Sequence, residues 1–197
     1  DTKFELKAFT TVDYTNDFKE KILSIFSKEI VALETLCLLN AWVGKQHGKM
    51  VLEALASWKI EPKTVDMIAS HGQTIYHAPK SLHPNSEYDP ATLQIGDGQS
   101  ICKKTNLKVV CDFRTQDVLL GGQGAPLVPI GDELLFSNYD FCLNLGGFSN
   151  ISYLEKGKRI AFDICPVNIV LNEICKKLNI SNCRKLTKLA RKRKKFT

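Results

Sequence analysis

The stretch DFRTQDVLLGGQGAPLVPIGD (residues 112–132), followed by FCLNLGGFSNISYL (141–154) and FDICPVN (162–168), decides how the chain is read. Short apolar runs alternate there with glycine pairs and isolated charges, a pattern of several backbone turns converging on a polar ligand. Asp112, Arg114 and Asp117 fall within one turn, which a solvated helix start with a weak local ion pair would also explain. GGQGAPL (121–127) follows directly, and three glycines around Gln123 allow backbone amides to point at an anion or a sugar hydroxyl. The loop lacks a closing G-K-[ST] and is not G-x-G-x-x-G, so it is neither a Walker loop nor a dinucleotide fingerprint.

Working downstream, residues 139–145 read as an apolar strand and the Gly146–Gly147 pair as the turn of a hairpin whose second strand is 150–154. Residues 159–162 rise to Asp163, placed at the exit of a short apolar strand, ahead of Pro166 and a helix over 167–178. A carboxylate at such an exit is placed to accept a proton; simple capping of the helix is the alternative.

Working upstream, 108–111 reads as a buried strand, 97–105 as a helix with Asp97 at its N-terminus, and 92–95 as a strand. HAPKSLHPNSEYDP (77–90) is a polar surface loop in which His77 and His83 are expected to be solvated. A strand over 65–69 ends at SHGQT (70–74), which serves equally as a tight turn closed by Gly72 or as a ligand site at a strand's carboxyl end. Helical spacing of apolar residues covers 17–28 and 31–58, with Trp42 and Trp58 as packing residues, and residues 3–12 alternate as an edge strand would. That strand begins abruptly, so the start is expected to be truncated. Strands alternating with helices at this interval predict an α/β layered fold.

With 44% hydrophobic and 24% charged residues over 197 positions, the chain has the composition of a soluble globular protein. No apolar run is long enough for a membrane helix, and the cytoplasm is the default compartment. Seven cysteines, none in C-x-x-C spacing, read as reduced, buried small hydrophobes, and no metal site is expected from them. The net charge of +6 belongs to the end of the chain: setting aside the eight basic residues of 184–197 leaves 19 basic against 21 acidic. Nucleic-acid binding through that run is disfavoured, since Phe196 is its only aromatic.

SHGQT, TLQIGD (92–97), DFRTQDVLLGGQGAPLVP, NLGGFSNIS and FD-x-x-P-x-N, in this order and spacing, resemble the anhydro-N-acetylmuramic acid kinases. The resemblance is dense over 65–178 and looser before it. It implies an α/β fold of the actin-like (ribonuclease H-like) architecture shared by acetate and sugar kinases, heat-shock proteins and actin, whose two domains clasp ATP and substrate. Residues 1–138 would form most of the first domain, 139–183 the start of a truncated second, and 184–197 a basic tail outside the family pattern. The implied activity uses ATP and Mg2+ to hydrolyse the 1,6-anhydro bridge of anhydro-N-acetylmuramic acid and phosphorylate O6, giving N-acetylmuramic acid 6-phosphate in peptidoglycan recycling. Under that resemblance Asp163 is the base that activates water. Thr74, Arg114, Gly122, Gln123 and Gly124 face the amino sugar, and Gly146 and Gly147 face the phosphates. A homodimer is compatible with it.

Three departures from the family pattern carry expectations. Cys165 and Val167 stand where the family has the two glycines of FD-x-GPGN, and Thr115 replaces a second arginine, so a weaker grip on the substrate is expected. The opening GTSLDG phosphate loop and the later adenosine-binding half are absent from the sequence. The chain alone is therefore expected not to turn over ATP, and a non-catalytic sugar-binding module or pseudoenzyme is the alternative.

Overall fold

The helical spacing near the start of the chain appears as two helices in a computed structural model, which describes residues 3–80, 87–122, 124 and 127–178. Helix α1 (Asn16–Leu23) begins where the Thr15 hydroxyl accepts the Phe18 amide at 3.2 Å, supplying one of the acceptors that a helix start lacks. Helix α2 (Leu33–Ser57) is the longest element. Phe18, Ile22 and Ile25 interlock with Leu39 and Val43 of α2, and with Ile75 and Ile95 from the strands that follow, into one buried cluster. Trp42 packs on it, its ring 5.0 Å from that of Phe18. Each such aliphatic or aromatic side chain contributes about 1.5–3 kcal/mol on leaving water.

After α2 come β1 (Ile68–Ser70), β2 (Gln73–Ala78), β3 (Ala91–Ile95), α3 (Gly98–Thr105), β4 (Val109–Cys111) and α4 (Phe113–Leu119). Strands β1 and β4 pair in parallel, and β2 and β3 antiparallel with a register shift between Thr74 and Tyr76. Asp97 caps α3, accepting the Ser100 hydroxyl at 2.6 Å and the Ser100 and Gln99 amides at 2.7 and 3.3 Å. The Ser100 hydroxyl, with those amides, holds its carboxyl below the usual range. The α2–α3 crossing is tight: a Cβ on Gly44 would sit 2.5 Å from the Asp97 carbonyl oxygen, and one on Gly48 2.9 Å from Lys104 Cβ.

The rest of the chain forms α5 (Leu127–Leu135), β5 (Phe141–Leu145), β6 (Phe148–Glu155), β7 (Lys158–Pro166) and α6 (Asn168–Lys177), with the three strands in one antiparallel sheet in chain order. Helix α5 is fastened to the sheet by polar contacts. The Ser152 hydroxyl donates to Asp132, and Arg159 reaches Ser152 at 3.5 Å and Glu133 at 4.0 Å. The result is a mixed α/β chain. Its contacts divide it into two units, Glu5–Ala125 and Pro126–Thr197 together with the first four residues.

Four sequence expectations need correction. Residues 3–12 form no strand: a ladder needs a neighbouring edge, no described strand pairs there, and Phe4, Leu6 and Phe9 are exposed. The strand before Asp112 is not buried, because β4 lies in a two-stranded sheet and Val110 and Cys111 face solvent. Of the six described cysteines, all free thiols, only Cys175 is buried. His77 belongs to β2 and is half-buried, because β3 offers that segment a full partner; His83 lies outside the described residues.

One half-buried titratable pair gives the fold a pH signature. Tyr14 Oη lies 3.0 Å from His47 Nε2, and the two rings stack with Phe18. Burial lowers the His47 pKa from its ordinary 6.5 and raises that of Tyr14. As pH falls below 6.5 the unfolded chain therefore takes up a proton that the folded chain resists, so stability declines on acidification. The urea midpoint is expected to be lower at pH 5.5 than at pH 7.5, and His47→Gln is expected to shrink that difference.

Candidate active site

The parallel pairing of β1 and β4 sets Ser70 opposite Cys111, so the segments that follow, His71–Gly72 and Asp112–Arg114, leave the same end of the pair. Carboxyl ends of parallel strands are where α/β sheets gather ligand groups. His71 turns back on its own loop, its Nδ1 3.0 Å from the Gly72 carbonyl. Asp112 adopts a left-handed φ of 62°, a conformation its short side chain tolerates, and this turn starts α4. Its carboxylate accepts the Thr115 hydroxyl.

Arg114, in the first turn of α4, reaches across to β2 and donates Nη1 to Thr74 Oγ1 at 3.0 Å, joining positions 40 residues apart. Burial lowers the guanidinium pKa from its ordinary value, and the Nε atom is buried with no hydrogen-bond partner. Thr74 faces Gln94 across the β2–β3 ladder, and His77 faces Thr92. His77 Nδ1 lies 3.1 Å from Thr92 Oγ1, and the same oxygen accepts Gln94 Nε2 at 2.7 Å. Thr74 and Arg114, drawn from two separate sequence segments, are thus in contact.

The glycine loop after α4 behaves differently from the sequence expectation of amides free for an anion. Gly121 N donates to Val118 O at 3.0 Å, Gly122 N to Asp117 O at 2.8 Å, and Gly124 N to Asp117 Oδ2 at 2.7 Å. The carboxylate of Asp117, expected at most in a local ion pair, instead closes the loop. Gly124 is buried at φ +61°, and a Cβ there would overlap Val118 Cγ2 and come 3.5 Å from His77 Cε1. Gln123 lies outside the described residues.

In the second unit, Gly146 and Gly147 turn β5 into β6, and their carbonyls accept the first amides of α6. Val167 and Ile169 donate to Gly147 O at 2.8 and 3.4 Å, and Asn168 donates to Gly146 O at 3.2 Å. Neither glycine has a positive φ, and a Cβ would meet its nearest atom at 3.4 Å on Gly146 and 3.5 Å on Gly147, ordinary contact distances. Asp163 lies within β7 and is not at its exit: the strand continues to Pro166, which needs no N–H at a strand end. It pairs with Asn150 beside a bulge, is exposed, and does not cap α6, whose N-cap is Val167. Among the described residues no group of three or more His, Cys, Asp or Glu converges as a metal site.

The family model described as anhydro-N-acetylmuramic acid kinase matches residues 1–194. The chain belongs to the anhydro-N-acetylmuramic acid kinase family. Among curated relatives, the anhydro-N-acetylmuramic acid kinase of Pseudoalteromonas translucida is 44% identical over 178 residues, which is 87% of this chain and 44% of that protein. Those of Caldanaerobacter subterraneus and Bacillus cereus are 36% and 38% identical over 185 residues, 90% of this chain and 47% and 48% of theirs. The chain spans about half the length of these curated relatives. These relatives are named as kinases.

Seen with the kinase family's segments in place, the sequence reading passed over Gln94. A usable signal was there: in TLQIGD, Thr92 and Gln94 alternate with Leu93 and Ile95, so one strand face is polar inside an apolar frame. For the loop, Gly124→Ala is expected to lower unfolding stability by about 1–3 kcal/mol, through overlap with the buried Val118. Chemical denaturation measures it, and an unchanged midpoint would mean the loop closes some other way.

Proposed function

We propose that this chain carries the amino-sugar side of a kinase that hydrolyses the 1,6-anhydro bridge of anhydro-N-acetylmuramic acid and phosphorylates O6, acting in peptidoglycan recycling in the cytoplasm. The observation that carries this proposal is family membership along residues 1–194; the contact of Arg114 with Thr74, each inside a segment of the family pattern, supports it. No helix of the described residues is long and apolar enough to cross a membrane. In this proposal the fold is actin-like, with a first domain over 1–138 and a second beginning at 139.

Arg114 and Thr74, beside the Gly122–Gly124 loop, hold the sugar. With the amides of Gly121, Gly122 and Gly124 already bonded, the grip on the ligand is assigned to the Arg114 and Thr74 side chains. Asp163, exposed on β7, takes a proton from water as its oxygen attacks the anomeric carbon; the C1–O6 bond breaks, and O6 takes the γ-phosphoryl group of ATP, releasing ADP. Gly146 and Gly147, lacking side chains, leave space beside the turn for a phosphate to approach. The described residues bring together no cluster to hold Mg2+, which enters this proposal bound to the phosphates of ATP.

Turnover in this proposal requires the length that the relatives have beyond the match. The 197-residue chain with ATP, Mg2+ and anhydro-N-acetylmuramic acid is expected to form no 6-phosphate, and formation at an ordinary kinase rate would refute that. In the full-length protein, Asp163→Asn is expected to lower kcat by about 100- to 10,000-fold with sugar affinity unchanged. Retained turnover would remove Asp163 as the base.

The glycine turn has its own test. Gly147→Ala fits its surroundings and is expected to change stability by less than about 0.5 kcal/mol while raising the KM for ATP. An unchanged KM would take the turn away from the phosphates.

A further inference from the structure

Gln94 stands inside β3 with its side chain on the face shared by Thr92 and opposite Thr74. The Thr92 oxygen receives Gln94 Nε2 at 2.7 Å and faces His77 Nδ1 at 3.1 Å, while its own hydroxyl points to the Tyr76 carbonyl at 3.5 Å. With Nε2 placed on the Thr92 oxygen, the other end of the Gln94 amide, Oε1, turns away from it. That oxygen is buried and has no partner.

Arg114 repeats the situation with the opposite polarity. Its Nη1 is committed to Thr74, the cross-strand partner of Gln94, and its Nε is buried and without a partner. One buried acceptor and one buried donor are therefore left open around a single ladder pair. Buried polar groups left unsatisfied are costly, and two of opposite sense at adjoining positions call for a group that answers both. A secondary amide does so, having one N–H and one C=O. Hydroxyl groups alone answer less well, and a free amine offers Nε–H no carbonyl acceptor.

We propose that Gln94 and Arg114 together read the acetamido group of an N-acetylated amino sugar, Gln94 Oε1 accepting its N–H and Arg114 Nε–H donating to its carbonyl oxygen. Thr92 acts as a positioning residue that sets the orientation of the Gln94 amide. The proposal rests on the assignment of this face of β2 and β3 to the sugar.

The test is calorimetric binding without ATP, on the full-length protein, of anhydro-N-acetylmuramic acid and of the same sugar with a free amine in place of the acetamido group. The wild type is expected to prefer the acetylated sugar. Gln94→Met, close in shape but without the acceptor, is expected to weaken binding of the acetylated sugar by about 10- to 100-fold and to lose the preference. Gln94→Glu keeps an oxygen acceptor that the Thr92 hydroxyl can turn to meet, and is expected to retain the preference. Unchanged affinity and preference in Gln94→Met would overturn the assignment, as would a wild type that binds both sugars equally, a result that needs no variant to fold. A wild type that binds the acetylated sugar selectively yet transfers no phosphate from ATP would sink the proposed reaction and leave Gln94 in place. Binding of neither sugar would remove both.

Discussion

Asn40 of α2 holds the corner on which the sugar-side geometry depends. Its side-chain oxygen accepts the Gly96 amide at 2.8 Å, and its backbone carbonyl accepts the Asp97 amide at 3.2 Å. Those two bonds pin the junction between β3 and α3 against a long helix, and the adjoining crossing tolerates nothing larger than glycine at positions 44 and 48. With the end of β3 fixed, Ile95 is driven into the core and Gln94 onto the opposite face. A one-residue slip of β3 would exchange the two. The polar face that meets Arg114 is in this sense a by-product of how α2 packs.

Much of the fold could be read from the sequence because the elements that matter are amphipathic with clear periods. Helix α2 runs within two residues of its expected bounds, and α3 begins at the aspartate singled out as its start. The hairpin around Gly146 and Gly147 is where its chemistry put it. The misread strands share a cause: strands are made by partners, and a single stretch does not reveal its partner. The alternation of residues 3–12 finds no ladder, β2 runs on through His77 because β3 is there to receive it, and β7 carries Asp163 in mid-strand because β6 pairs with it that far.

The candidate site was legible in composition but not in wiring. Family resemblance brought Thr74 and Arg114 into view together, and they are in contact. Nothing in GGQG announced that its amides would be consumed by Asp117 and the end of α4, since a carboxylate seven residues upstream can equally point to solvent. Gln94 escaped notice because a lone glutamine in a strand is ordinary; only its buried, unanswered oxygen distinguishes it.

The core cluster has a consequence for how the protein is made. Every buried member lies between Phe18 and Ile95, so the ribosome has delivered the whole of that core before it reaches the second unit at Pro126. Synthesis at about 5–20 residues per second gives the first unit seconds in which to collapse around α2 while the hairpin sheet is still unmade. Substitutions at Asn40 or Gly44 would then act early, on the nascent chain, and show as loss of yield before any loss of affinity.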